Sequence, residues 1–165
     1  MKNVVAVIRE TAEEIILPRF KALTTEQIKE KSGPGDLVTI ADIEAEDKLS
    51  RAFKHLVIGS EVVGEEVTSK KPDTINLLSS EPLVWVIDPI DGTRGFMAGQ
   101  TSWTILISLS EGEKLLFGII YQPFSDEMFI GNQYSCEYLH QGKIKKIFVK
   151  KCNYCLLYTS DAADE

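Results

Sequence analysis

Apolar residues recur along this chain with two different periods, and the change falls just after residue 56. Val4, Val5, Ile8, Ala12, Ile15 and Ile16 share one face at helical spacing, so a first helix is expected up to Pro18, which kinks or ends it. Ala41, Ala45, Leu49, Ala52, Phe53 and Leu56 repeat at the same period and predict a second helix. Thr39 and Asp42 stand before it as a T-x-x-D capping box. Between the two helices, Lys31-Ser32-Gly33-Pro34-Gly35-Asp36-Leu37-Val38 is turn chemistry running into a short extended piece.

After residue 56 the pattern becomes that of strands. Val62-Val63 leads into Gly64-Glu65-Glu66, and residues 67–81 are polar and read as a surface loop. Apolar, β-rich runs follow at 83–87, 103–109, 115–121, 128–130 and 144–149. Tight connections such as Glu111-Gly112-Glu113 and Gln122-Pro123-Phe124-Ser125-Asp126 join them, which implies antiparallel pairing. Two helices on an antiparallel sheet make an α+β layered arrangement.

Composition changes this picture little. At 44% hydrophobic and 26% charged, the 165 residues suit one globular domain or one lobe of a larger one. No apolar run approaches the roughly 20 residues needed to span a bilayer. Residues 1–19 mix Glu and Arg into the apolar positions, unlike a secretory leader, so the expected location is cytoplasmic and no membrane partner is expected. The net charge of −7 disfavours nucleic acid, whose phosphates need a basic footprint, but allows a small phosphate if a cation supplies the charge. Cys152 and Cys155 form one C-x-x-C; a zinc site needs a second pair or suitably spaced histidines, and His55 and His140 are not so spaced. The lysines at 143, 145, 146, 150 and 151 alternate with Ile144, Ile147 and Val149, as on the solvated face of an edge strand.

The chemistry concentrates in Trp85-Val86-Ile87-Asp88-Pro89-Ile90-Asp91-Gly92-Thr93-Arg94-Gly95-Phe96. A buried strand delivers Asp88 at its end, Pro89 stops strand pairing and fixes the turn, and Asp91 follows three residues on. Gly92 lets the backbone turn tightly, and Thr93 offers a hydroxyl and an amide where a helical turn can receive an anion. Two carboxylates in one turn suit Mg²⁺, a hard cation that takes oxygen ligands and keeps positions for phosphate and water. Glu65, at the end of another strand, completes a first site, and Asp88 is placed to bridge to a second cation. The plain structural alternative is a turn capped by Asp91 and Thr93.

Gly64-Glu65-Glu66 followed by residues 85–93 is similar to the two leading signatures of the inositol monophosphatase family, and residues 31–42 also resemble that family's N-terminal region. The resemblance covers about residues 1–150 and implies an N-terminal lobe of a layered α/β sandwich. It implies a Mg²⁺-dependent, lithium-sensitive phosphomonoesterase acting on a small phosphorylated metabolite by metal-activated water, homodimeric at full length. Glu65, Asp88 and the Ile90 carbonyl would bind one metal; Asp88 and Asp91 would bind a second. Thr93 would orient the attacking water, and the Gly92 and Thr93 amides would hold the phosphate. Asp42 would act near the metals or the nucleophile, with helix capping as its alternative. Glu66 reads as a solvated or supporting acid, and Lys31 as a surface lysine in preference to a residue on a mobile loop over the site.

The family's later W-D-x-A-A-G signature has no match, so the second metal lacks an expected Asp and these 165 residues are expected to be inactive alone. Arg94-Gly95-Phe96 departs from the Thr-Asn-Phe of inositol-specific members, which leaves bisphosphate nucleotidase and histidinol-phosphate phosphatase as alternatives. A haloacid-dehalogenase-type phosphatase fits less well, because its two acids are separated by one residue rather than two. A non-catalytic phosphate-binding protein is the alternative of another class. Residues 1–154 are expected to form the incomplete lobe, and residues 155–165 resemble a translated adapter read-through and are expected to be a non-native tail.

Overall fold

The computed structural model describes residues 1–31, 37–112 and 114–148. Helix α1 spans Lys2–Thr11, continues through a π-helical turn at Ala12–Ile16, and ends in a 3₁₀ turn at Leu17–Arg19 that contains Pro18. The apolar face expected up to Pro18 is therefore present, with its last turns wound differently. Strands β1 (Ile28–Glu30) and β2 (Leu37–Thr39) pair as a small antiparallel ribbon ahead of α2 (Ile40–Leu56). The capping box forms as expected: Thr39 Oγ1 accepts from the Ala41 N–H, and Asp42 accepts from the Thr39 N–H.

Among the described residues, seven strands make the main sheet in sequence order: β3 (Glu61–Gly64), β4 (Leu83–Asp91), β5 (Thr104–Glu111), β6 (Lys114–Gln122), β7 (Glu127–Gly131), β8 (Cys136–His140) and β9 (Lys143–Ile147). All neighbours are antiparallel except β3 and β4, which are parallel. A parallel pair needs a crossover, and this one corrects the loop expected at 67–81. The crossover contains α3 (Glu65–Lys70), a 3₁₀ turn at Pro72–Asn76 and α4 (Leu77–Ser80). Its polar character reflects exposure rather than lack of structure.

Helices α1 and α2 cover one sheet face. Ile8, Ile16, Leu49 and Phe53 pack on Trp85, Ile87, Ile105, Ile107 and Ile119 in one buried cluster. Phe53 stacks on Trp85 with ring centroids 4.4 Å apart, and the Trp85 indole N–H donates to Ser60 Oγ at 3.2 Å. Trp103 is core and meets Phe96 edge-on at 5.1 Å; Phe117 is partly buried against the same core. The lysines of β9 lie exposed on the edge strand of the sheet. No helix among the described residues is long and apolar enough to cross a membrane. Cys152, Cys155, the tail and the boundary at residue 154 lie outside the described residues.

Candidate active site

The parallel pairing of β3 with β4 brings the expected acids together. Gly64 lies beside Ile87 in that register, so Glu65, just past the end of β3, and Asp88, within β4, follow side by side. Strand β4 does not stop at Asp88. It runs through Pro89 to Asp91, with a register shift against β5 between Asp88 and Asp91. This corrects the expectation that Pro89 ends pairing. A residue without an N–H is accommodated in a bulge, and the bulge re-aims the side chains around it.

Within the bulge the Ile90 N–H donates to Asp88 Oδ1 at 3.1 Å. Asp91 is exposed, and its Oδ2 accepts from the Thr104 hydroxyl at 3.4 Å. Gly92 then adopts φ +93°, a left-handed conformation that side chains resist, and short helix α5 (Thr93–Met97) begins at once. Phe96 in α5 is fully buried against Trp103 and Phe20, which anchors the helix start.

Thr93 Oγ1 lies 3.0 Å from the Ile90 carbonyl and 3.4 Å from Asp42 Oδ1. Its single proton serves one of the two at a time. Asp42 is 1% exposed, and its two oxygens divide the roles that the sequence left open. Oδ2 caps α2 through Thr39, while Oδ1 faces Thr93. Burial raises the Asp42 pKa, opposed by the Thr39 hydrogen bonds; the Glu65 charge adds to the rise.

Lys31 differs from the preferred expectation of a surface lysine, and of the two readings of Glu66 the structure excludes the solvated one. The Lys31 side chain is only 6% exposed, and its Nζ lies 2.5 Å from Glu65 Oε1 and 2.7 Å from Glu66 Oε1. It is an internal counter-ion rather than a surface lysine. Burial alone would lower its pKa, but hydrogen bonds to Glu65 and Glu66 and their charges prevail and raise it. Glu66 is buried rather than solvated. Desolvation lifts its pKa to about 7 despite the opposing Lys31 contact, and the Asp42 and Glu65 charges add to that rise.

Asp88 is strongly perturbed. Burial first, then the Glu65 charge, a hydrogen bond to Glu65 and the Asp91 charge push its pKa up to about 8; the Ile90 N–H pulls the other way. No three His, Cys, Asp or Glu side chains among the described residues are already gathered around one point as a metal cluster. The donors nonetheless fit a hard divalent cation. Glu65, Asp88, Asp91 and the Ile90 carbonyl are all oxygen, and a cation would relieve the crowding of charge that lifts Asp88.

One residue of the surroundings went unread in the sequence. Glu46 is buried on α2 and accepts from the N–H groups of Glu66 and Val67. Its signal was available: Asp42 and Glu46 are four residues apart on the face that Ala41, Ala45 and Leu49 bury. An acid on an apolar face needs a partner, and here two backbone amides supply it.

The model of the inositol monophosphatase family matches residues 2–162. The chain is 33% identical over 137 residues to a Bacillus subtilis inositol-1-monophosphatase, covering 83% of this chain and 49% of that protein. It is 35% identical over 103 residues to inositol monophosphatase 1 of Bos taurus, covering 62% of this chain and 36% of that protein. A solved Zymomonas mobilis inositol monophosphatase superposes with a TM-score of 0.64 at 29% identity, over 90% of this chain and 52% of that one. The Thermotoga maritima IMPase shares the fold at 19% identity, with a TM-score of 0.68 over 84% of this chain and 50% of that one. The chain thus spans about half the length, or less, of the curated relatives it matches. From the family model together with the shared fold, the chain belongs to the inositol monophosphatase family.

Proposed function

We propose that the protein of which these residues form the motif-bearing part is a Mg²⁺-dependent phosphomonoesterase of small phosphorylated metabolites in the cytoplasm. The observation that carries this reading is the meeting of Glu65 and Asp88 at one end of the parallel β3–β4 pair, with Asp91, Gly92 and Thr93 on the bulge and turn that follow. Inositol monophosphate is the favoured substrate, since the curated relatives cited above carry that name. An Aquifex aeolicus relative, 27% identical, is named fructose-1,6-bisphosphatase/inositol-1-monophosphatase, so the reading extends to other sugar or polyol phosphates.

Glu65, Asp88 and the Ile90 carbonyl would hold one Mg²⁺, and Asp88 with Asp91 a second. Bound there, Mg²⁺ supplies a water of lowered pKa and neutralises charge on phosphate. The chain's own groups do the orienting. The Thr93 hydroxyl stands between the Ile90 carbonyl and Asp42 Oδ1 and directs the attacking water. The Ile90 carbonyl and Asp42 together restrict the direction of that hydroxyl, and Asp42 is itself fixed by Thr39. The Gly92 and Thr93 amides, at the start of α5, receive phosphate oxygens. No residue forms a covalent phosphoenzyme.

The test is phosphate release from inositol 1-phosphate by the full-length protein, titrated with Mg²⁺ and then stripped by a chelator. We expect turnover that chelation abolishes and Mg²⁺ restores. Undiminished turnover after chelation refutes the reading. Residues 1–154 assayed beside the full-length protein should show little or no turnover, because the second cation lacks the Asp of the later signature. Equal turnover would mean that residues 1–154 contain every essential ligand.

A further inference from the structure

We propose that Glu46 is a positioning residue of the metal site, fixing where Glu65 presents its carboxylate. The proposal rests on the metal-dependent reading above. Glu46 is 2% exposed in the middle of α2, and its carboxylate accepts from the N–H of Glu66 at 2.7 Å and of Val67 at 2.9 Å. Those amides belong to the first turn of α3, whose first residue is Glu65. The carboxylate therefore pins the peptide units immediately after Glu65.

Gly64 makes this approach possible. A Cβ at that position would stand 2.3 Å from Glu46 Cδ and 2.5–2.6 Å from its oxygens. The Gly64 backbone is ordinary extended chain at φ −102°, so close approach rather than a special dihedral is what requires glycine there. Helix α3 has no side-chain cap at Gly64 itself, and α2 supplies the acceptor from outside. The consequence is geometric. Helix α2 holds Asp42 and Glu46 one turn apart, so one rigid element sets Asp42 beside Thr93 and, through Glu46, sets Glu65 beside Asp88.

The experiment is calorimetric titration of Mg²⁺ alone into the full-length protein and its variants Glu46→Gln, Glu46→Asp and Gly64→Ala, with thermal melts of each. Glutamine has one acceptor oxygen and turns an NH₂ group toward the second amide. We expect Glu46→Gln to weaken Mg²⁺ binding about tenfold or more while a cooperative melt persists. Gly64→Ala should do the same by displacing the carboxylate from the opposite side. The double variant should be little worse than either single one, because both break the same contact. Unchanged Mg²⁺ affinity with a lowered melting temperature would overturn the proposal and make Glu46 a stability residue. Loss of cooperative melting in all three single variants would overturn it in the same way. Absence of Mg²⁺ binding to the wild-type protein would instead overturn the metal-dependent reading itself, and this inference with it.

Discussion

Lys31 places an ammonium within ion-pair reach of both Glu65 and Glu66. If Glu65 holds Mg²⁺ as proposed, this ammonium would compete with the cation for its carboxylate. We expect Lys31→Met to tighten Mg²⁺ binding several-fold in calorimetric titration; weaker binding would mean that Lys31 assists the cation. Asp88 gives a prediction with a defined pH window. Its pKa is raised from 3.8 to about 8 on folding, so the folded state disfavours its ionisation. That contribution to stability is present below pH 3.8 and is lost as pH rises toward 8. Metal-free Asp88→Asn should therefore melt higher than wild type, with the gap widening from pH 5 to pH 8 and then levelling off. The same variant should lose nearly all turnover in the full-length protein. A gap that stays constant with pH would refute the electrostatic account. Asp88 was legible from its motif as a candidate ligand, whereas the ion pairs of Lys31 were not. Its partners Glu65 and Glu66 lie more than thirty residues away, and only folding brings them together.

Among the elements, α2 ties the core to the site. Its core-facing residues pack on Trp85 and Ile87, and its first turn carries Thr39 and Asp42. Replacing Thr39 by Ala should cost about 1 kcal/mol in denaturant unfolding, the ordinary worth of an N-cap hydroxyl. Thr39→Ser should recover most of that cost. The Ala variant should also lower turnover in the full-length protein, because Thr39 Oγ1 donates to Asp42 at 2.5 Å and so orients it toward Thr93. Both helices and most strands could be read from their periods, since each period is a property of neighbouring residues. The crossover between β3 and β4 could not. Its polar residues are compatible with a loop or with exposed short helices, and the choice follows from the parallel pairing of strands it must connect.

Taken whole, the molecule covers its sheet unevenly. One face lies under α1 and α2. The other has a cavity of about 530 Å³ whose lining includes Val86, Asp88, Leu106, Leu115, Ile120 and Phe129. Leu115 and Ile120 are about half exposed. An apolar surface of this kind binds hydrophobic dyes and favours association. We expect these 165 residues expressed alone to enhance the fluorescence of an anilinonaphthalene sulfonate probe, and Ile120→Lys with Phe129→Lys to suppress it. No enhancement in the wild-type chain would show that this face is covered in solution.

The sequence by itself determined the α+β class, the capping box of α2 and the acids of the Asp88–Thr93 turn. Those are local matters, set by spacing, turn chemistry and ligand type within a dozen residues. Tertiary structure decided that Glu65 lies beside Asp88, that Asp42 serves both α2 and Thr93, that Lys31 is an internal counter-ion, and that Glu46 supports the start of α3. Each of these depends on contacts between residues 20 to 51 positions apart. No periodic pattern encodes such pairs. Parallel strand register and helix packing create them, and the cost of burying an unpartnered charge makes them specific.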